Sequence, residues 1–406
     1  MQPELAVGLP AAGAVCTAAL RSRPQAALAA GAGLGLAGAT FLFLATPGVP
    51  SAQLGISLSL TAPGRALLIA AAGSLGLAVA LAPARVERAT LLMWGLIGLA
   101  GMAAIAAVPS LDLGILILLM LGVLHAGLTG RRQVAARLRA PLFAVAVVGV
   151  ALAFSRVQGP DLLTRFAAIG LVAGLAAGIG LLPFIHEFDP EEGVVASPIP
   201  WIAFLGPLLA AVIVGRSKEL LPPDAGGVFG AILIGLGLLN VLWGSLASWR
   251  TENGAAAWHY SFMADWGLAM CGFGLAITDG QAAAMLVLFS ILLSRLPLYL
   301  WSRQALREKS PTDRPVNLLV AAVLAGSAPF AGFPARVLLL RGATQVYWPL
   351  ALVLAFAMLF WLPPSLRLGR SLGLPRGRQA VGVGIVLVIN LALGLYPQPV
   401  LSLAGL

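Results

Sequence analysis

The chain has 406 residues, 60% of them hydrophobic and only 10% charged, with a mean hydropathy of +0.97. That composition excludes a soluble globular domain and points to a polytopic α-helical membrane protein. A net charge of +10 would suggest nucleic acid in a soluble chain; here it fits arginine-rich loops facing anionic lipid, and no nucleic-acid partner is expected.

Apolar runs long enough to cross a bilayer recur along the whole chain. They predict about fourteen spans, at roughly 5–20, 26–46, 60–82, 89–108, 111–129, 140–156, 164–185, 199–215, 226–247, 259–277, 281–302, 316–340, 347–366 and 379–397. The first apolar run precedes the first arginines, so it reads as a retained helix, not a signal peptide. Most basic residues fall in odd-numbered loops, such as Arg21, Arg23, Arg131, Arg132, Arg137, Arg139, Arg367, Arg370, Arg376 and Arg378. The even loops hold Arg156, Arg165, Arg216, Lys218 and Arg341. This bias places the odd loops in the cytoplasm and both termini outside, in a bacterial-type inner membrane.

Several motifs are set aside. GLGLAG at Gly33 to Gly38 has the spacing of a dinucleotide loop but lies inside an apolar span, where glycines serve helix packing. Cys16 and Cys271 read as packing residues. The cluster His186, Glu187, Asp189, Glu191 and Glu192 reads as a solvated acidic loop and not as a metal site, with His186 the residue to watch. No metal, cofactor or redox site of the chain's own is expected.

Two spans are interrupted by proline: Pro183 in the seventh, and Pro329, Gly332 and Pro334 in the twelfth. Such breaks sit inside protein and mark ion or substrate paths. The two spans run in opposite directions, which suggests an inverted repeat of spans 4–8 and 9–13. The corresponding division is 1–85 for three leading spans, 86–217 and 218–370 for the repeats, and 371–406 for the last span and tail. Charges inside spans are costly and need partners. Asp265 in the tenth span and Arg295 in the eleventh fall at similar depth, so an ion pair is expected. Arg336 follows the twelfth-span break. His125, late in the fifth span, is either a proton-relay residue or a satisfied helix-end histidine.

The order of these pieces resembles the antiporter-like membrane subunits of respiratory complex I, especially the N-type subunit, and related subunits of Mrp antiporters and membrane hydrogenases. GLLPFIHEFDPEEGVVASPIPWIAFLGP is similar to the family's broken seventh helix, acidic loop and eighth helix. GSAPFAGFPARVLLL is similar to its broken twelfth helix, with further likeness in LGISLSLTAPGRALL, AAAWHYSFMADWGLAMCGFGL and GLYPQPVLSL. The resemblance implies a proton axis of a helix-five glutamate and lysines in helices seven, eight and twelve. Here those positions fall at Leu121 or Gly122, at Gly178, at Leu208 and at Arg336. Arginine effectively never deprotonates, and the other residues carry no charge. The resemblance therefore implies a largely structural subunit with a degraded proton channel, partnered by other membrane subunits. The alternatives are an active antiporter using His125, His186, Asp265, Arg295 and Arg336, or a standalone inverted-repeat transporter.

Overall fold

The computed structural model describes residues 3–47, 59–81, 85–107, 111–129, 133–157, 161–187, 197–308, 314–370 and 373–406. Among these residues all regular secondary structure is helical. The acidic-loop residues Asp189, Glu191 and Glu192 lie outside the described residues.

In chain order the helices are α1 (Pro3–Ala19), α2 (Pro24–Leu44), α3 (Ala62–Leu81), α4 (Arg85–Ala107), α5 (Leu111–Thr129) and α6 (Val134–Arg156). Then come α7 (Asp161–Ile179), α8 (Pro198–Leu220), α9 (Pro223–Arg250), α10 (Gly254–Gly274) and α11 (Thr278–Ser290). A π turn, Ile291–Arg295, joins α11 to α12 (Leu296–Glu308). The chain ends with α13 (Pro315–Leu324), α14 (Gly332–Val346), α15 (Trp348–Leu359), α16 (Leu362–Arg370), α17 (Arg378–Leu395) and α18 (Gln398–Leu403). Ten of the helical stretches are long and apolar enough to cross a membrane. Outward-facing Phe43, Leu128, Trp348, Phe356 and Val388 give the bundle the apolar exterior that lipid requires.

Local chemistry sets the helix ends. Proline opens α2, α8, α9, α13, α15 and α18, where a missing N–H costs nothing. Asn253 caps α10, its side-chain oxygen accepting from the N–H groups of Ala255 and Ala256. α9 and α10 pack backbone to backbone. A methyl group on Gly237 would lie 2.7 Å from the Gly267 carbonyl oxygen, so small residues permit the approach.

The two proline breaks are built alike. α7 stops at Gly180, whose φ is +73°, and the Leu181 N–H donates back to the Ala176 carbonyl at 2.8 Å. α13 stops at Gly326, φ +60°, and the Ser327 N–H donates to the Ala322 carbonyl at 3.0 Å. Both are glycine stops in which a left-handed residue lets the chain reverse and cover a terminal carbonyl. Each glycine is followed three residues later by a cis proline and then phenylalanine, Pro183-Phe184 and Pro329-Phe330.

Two expectations need correction here. The seventh helix ends at Ile179 and not near 185, because Gly180 leaves the helical region. Turns and extended chain follow to Glu187, with no second helical half among the described residues. In the twelfth span, Gly332 and Pro334 do not belong to the break, which runs from Ala325 to Ala331; they form the first turn of α14, where proline needs no N–H partner.

Candidate functional site

The buried charges gather at the second break. α10 brings Asp265, the π turn brings Arg295, and α14 brings Arg336. Arg295 Nε is ion-paired with Asp265 Oδ2, both side chains almost wholly buried. A π turn widens the helix by one residue per turn and is often found where a side chain must be re-aimed. Here it places Arg295 so that one guanidinium meets three further groups. Its NH2 donates to the Leu324 carbonyl at 2.8 Å, NH1 donates to Ser261 Oγ at 3.4 Å, and the plane lies 4.8 Å over the Trp361 ring. Trp361 Nε1 donates to the same Leu324 carbonyl at 2.7 Å. Arg336 donates to the Ala325 carbonyl and interacts electrostatically with Asp265. The carbonyl of Leu324, the last residue of α13, and that of Ala325, the first of the break, are thus covered by two guanidiniums and an indole, and one carboxylate balances them.

The cluster carries two permanent positive charges against one negative charge. Neither arginine can cycle a proton. The arrangement fixes three helices around the break through buried charge, as removing any one member would strand the others.

The first break has no such charge. His186 reaches back over it, and its Nε2 is 2.7 Å from the Ala177 carbonyl. The Leu182 N–H donates to Asn240 Oδ1 of α9 at 2.9 Å. Beside the break lies a small cavity of about 40 Å³, lined by α5, α6, α7, α8 and the segment after α7. His125, Arg137, His186 and Glu187 supply its polar groups, and Leu118, Leu119, Leu205 and Leu209 supply much of its apolar wall. His125 stacks on Trp201 at 4.6 Å, and Trp94 stands edge-on to both rings, at 5.2 and 5.6 Å.

Of the positions where the resemblance places acidic and basic groups, Gly122 and Gly178 line this cavity. A methyl group on Gly178 would sit 2.8 Å from Leu209 and 2.9 Å from Leu119, so leucines from α8 and α5 close over the bare helix. Leu121 packs into the space left by Gly101 of α4, and Leu208 is buried in the core. The structure therefore brings Asp265, Arg295 and Arg336 together, and brings His125 and His186 together, as two separate groups. Sequence reasoning missed His259, buried on α10, and Trp361, which lies against Arg295 in the charged group. Repetition of Gly-x-x-Pro-Phe at Gly180 and Gly326 was the unused signal for the matched breaks.

No family profile matches the chain. NADH-quinone oxidoreductase subunit M of Mycobacterium tuberculosis (strain H37Rv) is 24% identical over 263 residues, 58% of this chain and 47% of that protein. NADH-quinone oxidoreductase subunit N of Ectopseudomonas mendocina is 27% identical over 288 residues, 62% of this chain and 58% of that protein. In sequence the chain is thus similar to the antiporter-like subunits of complex I.

Solved structures share the fold. The chain superposes over 99% of its length on a chain of Thermus thermophilus respiratory complex I, covering 98% of that chain at a TM-score of 0.71 and 18% identity. It covers 51% of a chain of the Dietzia Mrp complex at a TM-score of 0.79 and 16% identity. It also covers 76% of a chain of an archaeal membrane-bound sulfane sulfur reductase at a TM-score of 0.74 and 17% identity. The chain spans about half the length of the curated relatives it matches. Its apolar helices and these relatives make it a multi-pass membrane protein.

Proposed function

We propose that the chain is a membrane-arm subunit of a complex I-like, redox-driven proton-translocating assembly, chiefly structural, in which the family's proton relay is degraded. The observation that carries this reading is the substitution pattern at the break-associated positions. Gly178 and Leu208 offer no titratable group, leucines fill the space over Gly178, and Arg336 holds a permanent charge on a helix-end carbonyl. The bundle keeps the form of an ion path and has lost the groups that would switch it.

In the finer arrangement, about fourteen spans cross a bacterial-type inner membrane with both termini outside. Spans 4–8 and 9–13 form an inverted repeat, covering 86–217 and 218–370, after a leading segment 1–85 and before the final segment 371–406. Support comes from the arginine bias of the odd loops and from glycine stops repeated in two spans of opposite direction. The partners are other membrane subunits of that assembly; redox chemistry belongs to them.

Purification of the tagged chain from native membranes in mild detergent tests this directly. Co-purification with quinone-reductase- or hydrogenase-like subunits is the expected result. A chain that elutes alone under conditions preserving other respiratory complexes would contradict it and favour a standalone transporter.

A further inference from the structure

Two apolar stripes and two arginines converge where α9 and α16 end side by side. The outward face of α9 carries Leu239, Trp243, Leu246 and Trp249, and that of α16 carries Leu362 and Leu366, all exposed. Both stripes finish in arginine: Arg250 is the last residue of α9, and Arg367 lies in the last turn of α16. Trp249 gathers both cations. Its carbonyl accepts from Arg367 NH1 at 2.8 Å, and the Arg250 guanidinium lies 5.9 Å from the centre of its ring. The last carbonyls of a helix lack backbone partners and favour cations, so this end of α9 holds both charges in place. Glu252, exposed two residues past α9, is the acid of the same turn. The bond to Trp249 uses one of the five donors of Arg367, and the planar fork matches a phosphate in shape and charge.

We propose that this end of α9 and α16 binds one anionic phospholipid, its phosphate between Arg250 and Arg367 and its acyl chains along the two stripes. The phosphate supplies the negative charge that the two arginines call for. Trp243 and Trp249 suit the boundary between headgroup and hydrocarbon, where amphipathic rings collect. A free phosphate ion would match the arginines and leave the stripes unused; a lipid uses both. The site also reaches the charged cluster. Asn317 ties α16 to α13, its side-chain amide donating to the Gly369 carbonyl at 2.9 Å. Trp361, which lies under Arg295, immediately precedes α16. Six residues, about 9 Å of helix, separate Trp361 from Arg367. A lipid held at Arg367 therefore braces the helix whose other end packs on the second break.

Native mass spectrometry of the full chain counts the lipids it retains from mixed micelles of phosphatidylglycerol and phosphatidylethanolamine with identical acyl chains. One phosphatidylglycerol should be retained in preference to phosphatidylethanolamine. Arg250→Gln and Arg367→Gln should each lower that retention about fivefold. Arg165→Gln, at an exposed arginine near the start of α7, should leave it unchanged. Trp243→Ala should weaken retention without abolishing the preference for the anionic lipid. Millimolar inorganic phosphate should not displace the lipid. Equal retention of the two lipids, equal losses in Arg165→Gln and Arg250→Gln, or displacement by phosphate would each overturn the proposal. So would a lipid kept by the isolated chain and missing from the chain in an assembled complex, since a partner subunit would then cover this face. Retention by the isolated chain needs no partner, so failure to co-purify would sink the subunit reading and leave the lipid site standing.

Discussion

The two helix breaks share a backbone and differ in what fills them. At each, a glycine stop frees carbonyls that a bilayer cannot hydrate, so a side chain must reach back to cover them. At α7 an imidazole serves, and an asparagine of α9 holds the following N–H. At α13 two guanidiniums and an indole serve, and Asp265 is then needed to balance charge. The fold requires the break; it does not require charge at the break. The second half is held by an ionic knot, and the first by neutral hydrogen bonds and leucine packing.

The sharpest way to test that difference is to remove one member of the knot. Asp265→Ala leaves Arg295 buried without its carboxylate and should cost about 3–5 kcal/mol. The apolar pair Asp265→Leu with Arg295→Met should recover much of it, since both charges are then gone. Thermal unfolding in detergent and the yield of folded protein report both outcomes. If the single and double variants are equally unstable, Arg295 is held by something other than the pair.

Alanine at the two stop glycines gives a smaller, more symmetrical comparison. Left-handed backbone costs a residue with a Cβ about 1–2 kcal/mol, so Gly180→Ala and Gly326→Ala should both destabilise. The added methyl would lie 2.8 Å from the His186 ring in one case and 2.8 Å from the Arg336 guanidinium in the other. Gly326→Ala should cost more, because the displaced group is a charge leaving its carbonyl. Equal unfolding temperatures for the two variants would remove the contrast. Gly178→Ala, by contrast, meets only the mobile tips of Leu119 and Leu209 and should cost less than about 1 kcal/mol.

The smallest effect is a pH dependence at the far end of α14. Arg341 and Gln345 hydrogen-bond Asp279 at the start of α11, and Arg341 holds that carboxyl below its ordinary value. A lowered carboxylate stabilises the fold above its unfolded value, about pH 3.9, and loses that contribution as pH falls through the lowered one. The unfolding-temperature difference between wild type and Asp279→Asn should therefore be constant at neutral pH and vanish in acid. The pair is exposed, so the difference will be slight.

Much of the fold was legible because bilayer physics is strict: the described chain is built of helices, ten stretches of them long and apolar enough to cross a membrane, and Asp265 pairs with Arg295 as their depths implied. The end of α7 was misplaced because proline drew attention away from Gly180, three residues earlier, where the helix stops. In the same way Gly332 and Pro334 were assigned to the break although proline is at home in a first helical turn. The first-half cavity was not legible. His259 carries no mark in sequence, and its burial depends on how α7, α8 and α10 pack around Ile202.

If Arg336 is a fixed charge and not a step in proton transfer, its removal should leave proton stoichiometry untouched. Native-membrane vesicles containing the assembled complex allow protons moved per electron to be measured with Arg336→Ala in place. Less assembled complex and an unchanged ratio in what assembles are the expected results. A lowered ratio in fully assembled complex would contradict it.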